Sequence, residues 1–221
     1  MEANTDNIRI ESYIASLSTG MSDVVNTIER EALCSEVPII RKETQGLLKF
    51  MIETHKPEKI LEVGTAVGFS ALLMWESSGK KVKIDTIENY DKRIPIAKEN
   101  FKRAGAESDI TLIEGDAMDV LKTLKGPYPF IFMDAAKAQY INYLPEIIRL
   151  LPAGGILVTD NVLQDGDVLQ SRYGVTRRDR TIHSRTIHSR MREYLYELTH
   201  SDIFTTSVIN VGDGMALSVK K

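Results

Sequence analysis

Three residues at the ends of apolar runs have the right chemistry to hold a hard cation. Asp134 closes Phe130-Ile-Phe-Met-Asp134, and Asp160-Asn161 close Gly155-Ile-Leu-Val-Thr-Asp160-Asn161. Each run reads as a buried parallel strand, and ligands of open α/β sheets gather just beyond the carboxyl ends of the strands. Two carboxylates and an amide oxygen there form an all-oxygen donor set suited to Mg2+, with water and substrate completing the shell. The competing reading is that Asp134 and Asp160 only cap the helices that follow them.

A second constellation lies upstream. Leu61-Glu62-Val63-Gly64-Thr65-Ala66-Val67-Gly68-Phe69-Ser70 reads as a strand, a glycine turn and a helix start. Gly64 allows a sharp turn and Gly68 a close approach of a ligand or helix. The G-x-x-x-G spacing is not the dinucleotide fingerprint G-x-G-x-x-G, which argues against a dehydrogenase. Glu88 ends the next strand, where an acid would accept hydrogen bonds from ribose hydroxyls. Gly115-Asp116-Ala117 follows the third strand, where a carboxylate and its neighbour could meet an adenine amino group. Singly these are weak, since Glu88 could be a solvated strand end. Together they outline an adenosine-sized crevice, and the lack of a Walker lysine loop favours a nucleoside without phosphates over ATP.

The elements that must position these groups follow from the apolar pattern. Residues 7–56 read as helices, interrupted by an extended linker at Val37-Pro38-Ile39-Ile40. Strands are expected at 59–63, 82–88, 110–114, 129–134 and 155–160, and helices at 68–78, 91–104, 117–124 and 138–151. This alternation implies a parallel sheet with helices on both faces. A helix at about 189–199 and strands at 204–210 and 215–219 complete the chain, with Gly212-Asp213-Gly214 making the last two strands an antiparallel hairpin. The organisation is then one α/β domain, with N-terminal helices at 1–56 ahead of a core at 57–221.

Composition narrows the classes. No apolar run approaches the roughly 18 residues needed to cross a bilayer, and the N-terminus lacks the basic-then-apolar layout of a secretory signal. A single cysteine, Cys34, excludes an intrachain disulfide framework and fits a reducing cytoplasm. Its apolar helical surroundings suggest a small core filler. The net charge of −3 argues against a general nucleic-acid binder, but its distribution is uneven. Between Ser171 and Arg192 stand seven arginines against one acid, a segment of +6 that leaves −9 for the rest.

This segment also contains a tandem repeat, Thr181-Ile-His-Ser-Arg185 and Thr186-Ile-His-Ser-Arg190. Five extra residues would rotate everything after them by roughly 140° in a helix of about 3.6 residues per turn, so the spare copy is expected in the loop before the helix. His183 and His188 are expected to be exposed or phosphate-facing rather than zinc ligands.

Glu62-Val-Gly-Thr-x-x-Gly-Phe-Ser70, Asp134-Ala-Ala-Lys137-Ala-Gln-Tyr140 and Asp160-Asn161 resemble the cation-dependent, S-adenosylmethionine-dependent O-methyltransferases of the caffeoyl-CoA and catechol type, over nearly the whole chain. The resemblance implies a Rossmann-like class I methyltransferase fold with seven strands, mostly parallel, the last antiparallel. It implies that Ile40, Glu62, Gly64, Ser70, Glu88, Asp116, Ala117 and Asp134 contact S-adenosylmethionine, Ile40 from above. Asp134, Asp160 and Asn161 would hold Mg2+ or another divalent cation, and a homodimer is implied as well. Lys137, three residues after Asp134, would take or stabilise the departing proton, its alternative being a surface lysine opening a helix. Tyr140 reads more safely as packing.

The segment Arg177-Arg-Asp-Arg180-Thr-Ile-His, with Met191-Arg-Glu-Tyr194-Leu-Tyr-Glu-Leu-Thr-His200 and Gly212-Asp-Gly214, resembles the bacterial tRNA 5-hydroxyuridine methyltransferase group. That resemblance implies methylation of a wobble uridine in the tRNA anticodon loop, with Arg172, Arg177, Arg178 and Arg180 as phosphate contacts. The alternatives are a catechol or acyl-CoA O-methyltransferase whose arginines serve a phosphorylated carrier or an interface, and a non-catalytic RNA-binding protein. The intact Asp134, Lys137, Asp160 and Asn161 oppose the last.

Overall fold

The computed structural model describes residues 9–10, 12–163, 168 and 182–221, with only the backbone of 182–186. After the helical residues 9–10 and 12–16 come α1 (Asp23–Cys34) and α2 (Lys42–His55), separated by the extended linker around Pro38. The alternating core follows: β1 (Lys59–Val63), α3 (Phe69–Ser77), β2 (Lys83–Glu88), α4 (Ile94–Ala104), β3 (Ile110–Glu114), α5 (Ala117–Thr123), β4 (Phe130–Met133), a 3-10 turn (Lys137–Gln139), α6 (Tyr140–Leu150) and β5 (Ile156–Thr159). It ends in α7 (Ile182–His200), β6 (Phe204–Ile209) and β7 (Met215–Lys220).

The seven strands form one sheet in the order β3-β2-β1-β4-β5-β7-β6. β1 to β5 pair in parallel, while β7 is antiparallel to both β5 and β6. The last strand therefore inserts between β5 and β6, and it alone runs against the rest. The Rossmann-like arrangement expected from the sequence is present, with strand bounds within a residue or two of the apolar runs.

Both faces of the sheet are covered, which is why its strands are apolar runs rather than alternating ones. Period-2 geometry still sorts them. Ile60, Phe130, Phe132 and Val158 pack with α1 to α4, whereas Leu61, Ile131, Met133 and Leu157 pack with α5 to α7. The strand order reverses between β1 and β4, and the crevice at that switch point is where an open α/β sheet binds its ligand.

Three expectations need correction. Cys34 is exposed, because the inward face of α1 is set by Val25, Ile28, Glu29 and Ala32, and Cys34 falls off that stripe. The last helix begins at Ile182 rather than near 189, so both copies of the repeat are helical. His188 is buried, not exposed. The physical reason is phase: His188, Met191, Tyr194 and Leu198 form one buried stripe at helical spacing. His188 of the second copy is in register with that stripe. The duplication thus lengthens the helix at its N-terminal end and leaves everything after it unrotated.

Candidate active site

The carboxyl ends of β1 to β5 open into a cavity of about 590 Å3. Its floor at β1 is built by the glycine turn. Gly64 has φ +104°, and a Cβ there would collide with the carbonyl oxygen of Asp134, so only glycine lets the turn lie against the end of β4. Gly68, also left-handed at φ +82°, precedes α3 and packs against the Phe101 ring.

Glu62 lies beneath this turn, fully buried and outside the cavity lining. Ser70 Oγ donates to its Oε1 at 2.5 Å and Thr86 Oγ1 to its Oε2 at 2.5 Å. Burial pushes its pKa up to about 8, against the pull of these two hydroxyls and with a further push from Asp134 and Glu88. Ser70 itself lines the cavity and carries the contact from Glu62 to the ligand space.

Glu88 closes the next side. Its Oε2 accepts from Ala66 N at 2.8 Å and its Oε1 from Asn89 N and Tyr90 N, so the carboxylate knits the β1 turn to the β2 end while it lines the cavity. Gly115 and Ala117 line it after β3. Asp116 between them is exposed, and its Oδ1 caps α5 by accepting from Met118 N at 2.9 Å. Ile40 and Arg41 of the linker complete the roof. Ile40 is fixed there because Gln45 Nε2 donates to its carbonyl at 3.0 Å and also to the buried Glu29, which in turn pairs with Lys42.

At the other end of the cavity stand Asp134, Lys137, Asp160 and Asn161, which the fold brings together as the sequence suggested. Asp134 and Asp160 do not cap helices; they line the crevice. Burial raises the pKa of Asp134 to about 6, with Lys137 lowering and Asp213 raising it. Burial likewise raises Asp160 to about 7, and the charge of Asp134 adds to the rise. Two buried carboxylates that repel one another, with an amide beside them, fit a divalent cation. The groups that could hold it are these two carboxylates and the Asn161 amide.

Tyr140 packs, and does more. It is fully buried against Tyr194 in an edge-on pair, its hydroxyl accepts from Ala135 N at 3.1 Å, and it lies 3.5 Å from the Asp160 carbonyl. The ends of β4 and β5 are thereby joined. Tyr194 and Thr159 hydroxyls share a bond of 2.7 Å, and Arg190 Nη1 donates to the Ala138 carbonyl at 3.1 Å, so α7 holds the turn that carries Lys137. Arg172, Arg177, Arg178 and Arg180 lie outside the described residues. One site residue was missed: Asp213, on the β6–β7 hairpin, lines the cavity beside Asn161.

The O-methyltransferase family pattern matches residues 11–221. A catechol O-methyltransferase of Niastella koreensis is 31% identical over 72% of this chain and 75% of that protein. A caffeoyl-CoA O-methyltransferase of Stellaria longipes is 38% identical, and there the chain spans about half of each protein, 55% of this one and 53% of the relative. The crystal structure of the methyltransferase PaMTH1 of Podospora anserina, bound to S-adenosylhomocysteine, superposes with a TM-score of 0.87 at 27% identity, covering 98% of this chain and 96% of that one. The cavity at the β1/β4 switch point is the candidate active site, and the chain is an S-adenosylmethionine-dependent enzyme that belongs to the O-methyltransferase family.

Proposed function

We propose that the protein methylates one oxygen of a vicinal oxygen pair held at a Mg2+ site of Asp134, Asp160 and Asn161, and that the pair is the 5-hydroxyl and O4 of 5-hydroxyuridine in a tRNA anticodon loop. The observation that supports the chemistry is the placement of two buried, mutually repelling carboxylates and an amide at one end of the cofactor cavity. A divalent cation there would lower the pKa of a chelated hydroxyl and fix its aim. Methyl transfer from a sulfonium is an in-line displacement, so the rest of the protein's contribution is positioning. The Ile40–Arg41 roof and the Gly64 turn enclose the methyl donor, Glu88 receives its ribose, and Lys137 Nζ, in its neutral amine form, takes the proton lost by the hydroxyl as the oxygen–carbon bond forms and the methyl–sulfur bond breaks.

The RNA substrate rests on the +6 segment between Ser171 and Arg192, which begins about a dozen residues after β5 in the chain. Two of its seven arginines, Arg190 and Arg192, donate to backbone carbonyls, and Arg172, Arg177, Arg178 and Arg180 are the ones assigned to phosphates. A base from a single-stranded loop can be splayed into a pocket, and the arginines would grip the backbone outside it. A second reading, methylation of a catechol or an acyl-CoA, is favoured by the names of the relatives in hand. Self-association belongs to the same proposal: Ile10, Tyr13, Ile14 and Leu17 form an exposed stripe at helical spacing that a second copy would cover.

The test is incubation with S-adenosylmethionine, Mg2+ and tRNA carrying 5-hydroxyuridine, followed by mass spectrometry of the nucleosides. A gain of one methyl on that base, abolished by chelator and by Asp160→Ala and suppressed by salt, supports the tRNA reading. Methylation of a catechol with none of the tRNA under the same conditions refutes it.

A further inference from the structure

Asp213 reaches the active site from far along the chain. Because β7 inserts between β5 and β6, the hairpin tip comes beside the carboxyl end of β5, where Val162 N donates to the Gly214 carbonyl at 2.9 Å and Leu163 N to the Asp213 carbonyl at 3.0 Å. Asp213 Oδ2 accepts from Asn161 Nδ2 at 3.0 Å. Its Oδ1 is paired with Arg41 Nη2 at 2.5 Å, and Arg41 adjoins Ile40 in the roof. The carboxylate is thus fixed from one side by the linker and faces the amide on the other.

We propose that Asp213 is a positioning residue that sets which edge of the Asn161 amide faces the cation, an inference that rests on the reading of Asp134, Asp160 and Asn161 as a metal site. An asparagine amide has one accepting edge and one donating edge, and an ionised carboxylate only accepts. Asp213 therefore engages the NH2 edge, and the carbonyl oxygen is the edge left for the cation. Without Asp213 the amide is free to turn and present its NH2 group, which repels a cation.

The rest of Asn161 is already fixed. Its backbone sits at φ +59°, a conformation asparagine tolerates better than most residues, and its N–H donates to Asp160 Oδ1 at 2.8 Å. The amide torsion is the part left for another group to set. Both Asp213 oxygens already have partners, Asn161 Nδ2 on Oδ2 and Arg41 Nη2 on Oδ1, which fits a positioning role rather than that of a third ligand.

The experiment is titration of Mn2+, followed by electron paramagnetic resonance, into the wild-type protein and into Asp213→Ala, Asp213→Asn and Asp160→Ala. Thermal unfolding and binding of S-adenosylhomocysteine report on folding. Asp213→Ala should weaken Mn2+ binding by about ten- to a hundred-fold, the usual cost of losing a group that orients a ligand. Asp213→Asn keeps an acceptor for the Asn161 NH2 and should return affinity to within a few-fold of wild type. Asp213→Ser, too short to reach the amide, replaces the alanine variant if that one unfolds. Wild-type affinity in Asp213→Ala, or no recovery in Asp213→Asn, overturns the inference while leaving the metal site intact. Failure of the wild-type protein to bind Mn2+, or wild-type binding by Asp160→Ala, overturns the metal reading itself and the inference with it.

Discussion

Replacing Glu62 by glutamine should stabilise the ligand-free protein and weaken its grip on the cofactor. The carboxyl is fully buried and its pKa is raised from 4.5 to about 8. A carboxyl raised in this way is favoured in its neutral form by the fold. Its destabilising contribution is absent below pH about 4.5, grows as pH rises, and levels off above the folded pKa of about 8. At pH 7 the interval is about 2.5 units, or roughly 3 kcal/mol at about 1.4 kcal/mol per unit. Glutamine removes that term. It also replaces one of the two accepting oxygens facing Ser70 and Thr86 with a donor, a mismatch of about 1 kcal/mol that Thr86 can lessen by turning its hydroxyl toward Thr65, 2.6 Å away. The net gain is about 2 kcal/mol, a rise in Tm of about 4–8 °C for a chain of this size. Thermal unfolding of both proteins without ligand, from pH 5 to pH 8, provides the assay. The curves should nearly meet at pH 5 and diverge toward pH 8, while S-adenosylhomocysteine binds the variant at least tenfold more weakly. Parallel curves across that range would show that Glu62 titrates normally and would refute the reasoning.

Three further outcomes are expected. Gly64→Ala forces a side chain into a left-handed turn and against the Asp134 carbonyl, and should cost on the order of 3 kcal/mol or more in denaturant unfolding. With Asp134 and Asp160 protonating near pH 6 and pH 7, Mn2+ affinity should fall about a hundred-fold between pH 7.5 and pH 5.5, with protons released on binding in calorimetry; a flat profile would contradict the buried pair. Arg190→Met frees the Ala138 carbonyl and loosens the turn bearing Lys137, so kcat should drop several-fold with the affinity for S-adenosylhomocysteine unchanged, as read by steady-state kinetics and calorimetry.

The parts of this molecule that could be read from the sequence are those written in consecutive residues. Phe130–Met133 and the residues 156–158 are uninterrupted apolar runs because both sheet faces are covered, and the polar residues that follow them mark the strand ends. The Gly64 turn was visible for the same reason, since a left-handed backbone selects glycine locally. Asp213 was not visible as a site residue. It stands 52 positions from Asn161, and the hairpin signal that announces its turn says nothing of β7 inserting beside β5. Cys34 and the first turns of α7 failed on phase: an error of one residue turns a helical position by about 100°, enough to exchange core for solvent.

The electrostatics of the crevice explain why a fold would keep such a costly arrangement. Glu62, Glu88, Asp134, Asp160 and Asp213 converge on the carboxyl ends of the strands, and Asp134 takes part in raising the pKa of both Glu62 and Asp160. The opposing charges in the lining are Lys137, which lowers both aspartates, Arg41, which is paired with Asp213, and Arg93. Above about pH 7, where Asp134 and Asp160 are ionised, the ligand-free site therefore carries an excess of poorly solvated negative charge. A sulfonium cofactor with an ammonium group and a divalent metal both carry positive charge, and each would relieve repulsion that the other also feels. Their binding should therefore be mutually favourable even without any movement of the backbone. Calorimetric titration of S-adenosylmethionine with and without Mg2+ measures this coupling, and S-adenosylhomocysteine, which lacks the sulfonium charge, should show less of it. Equal coupling for the two ligands would place its origin in the Ile40–Arg41 roof rather than in charge.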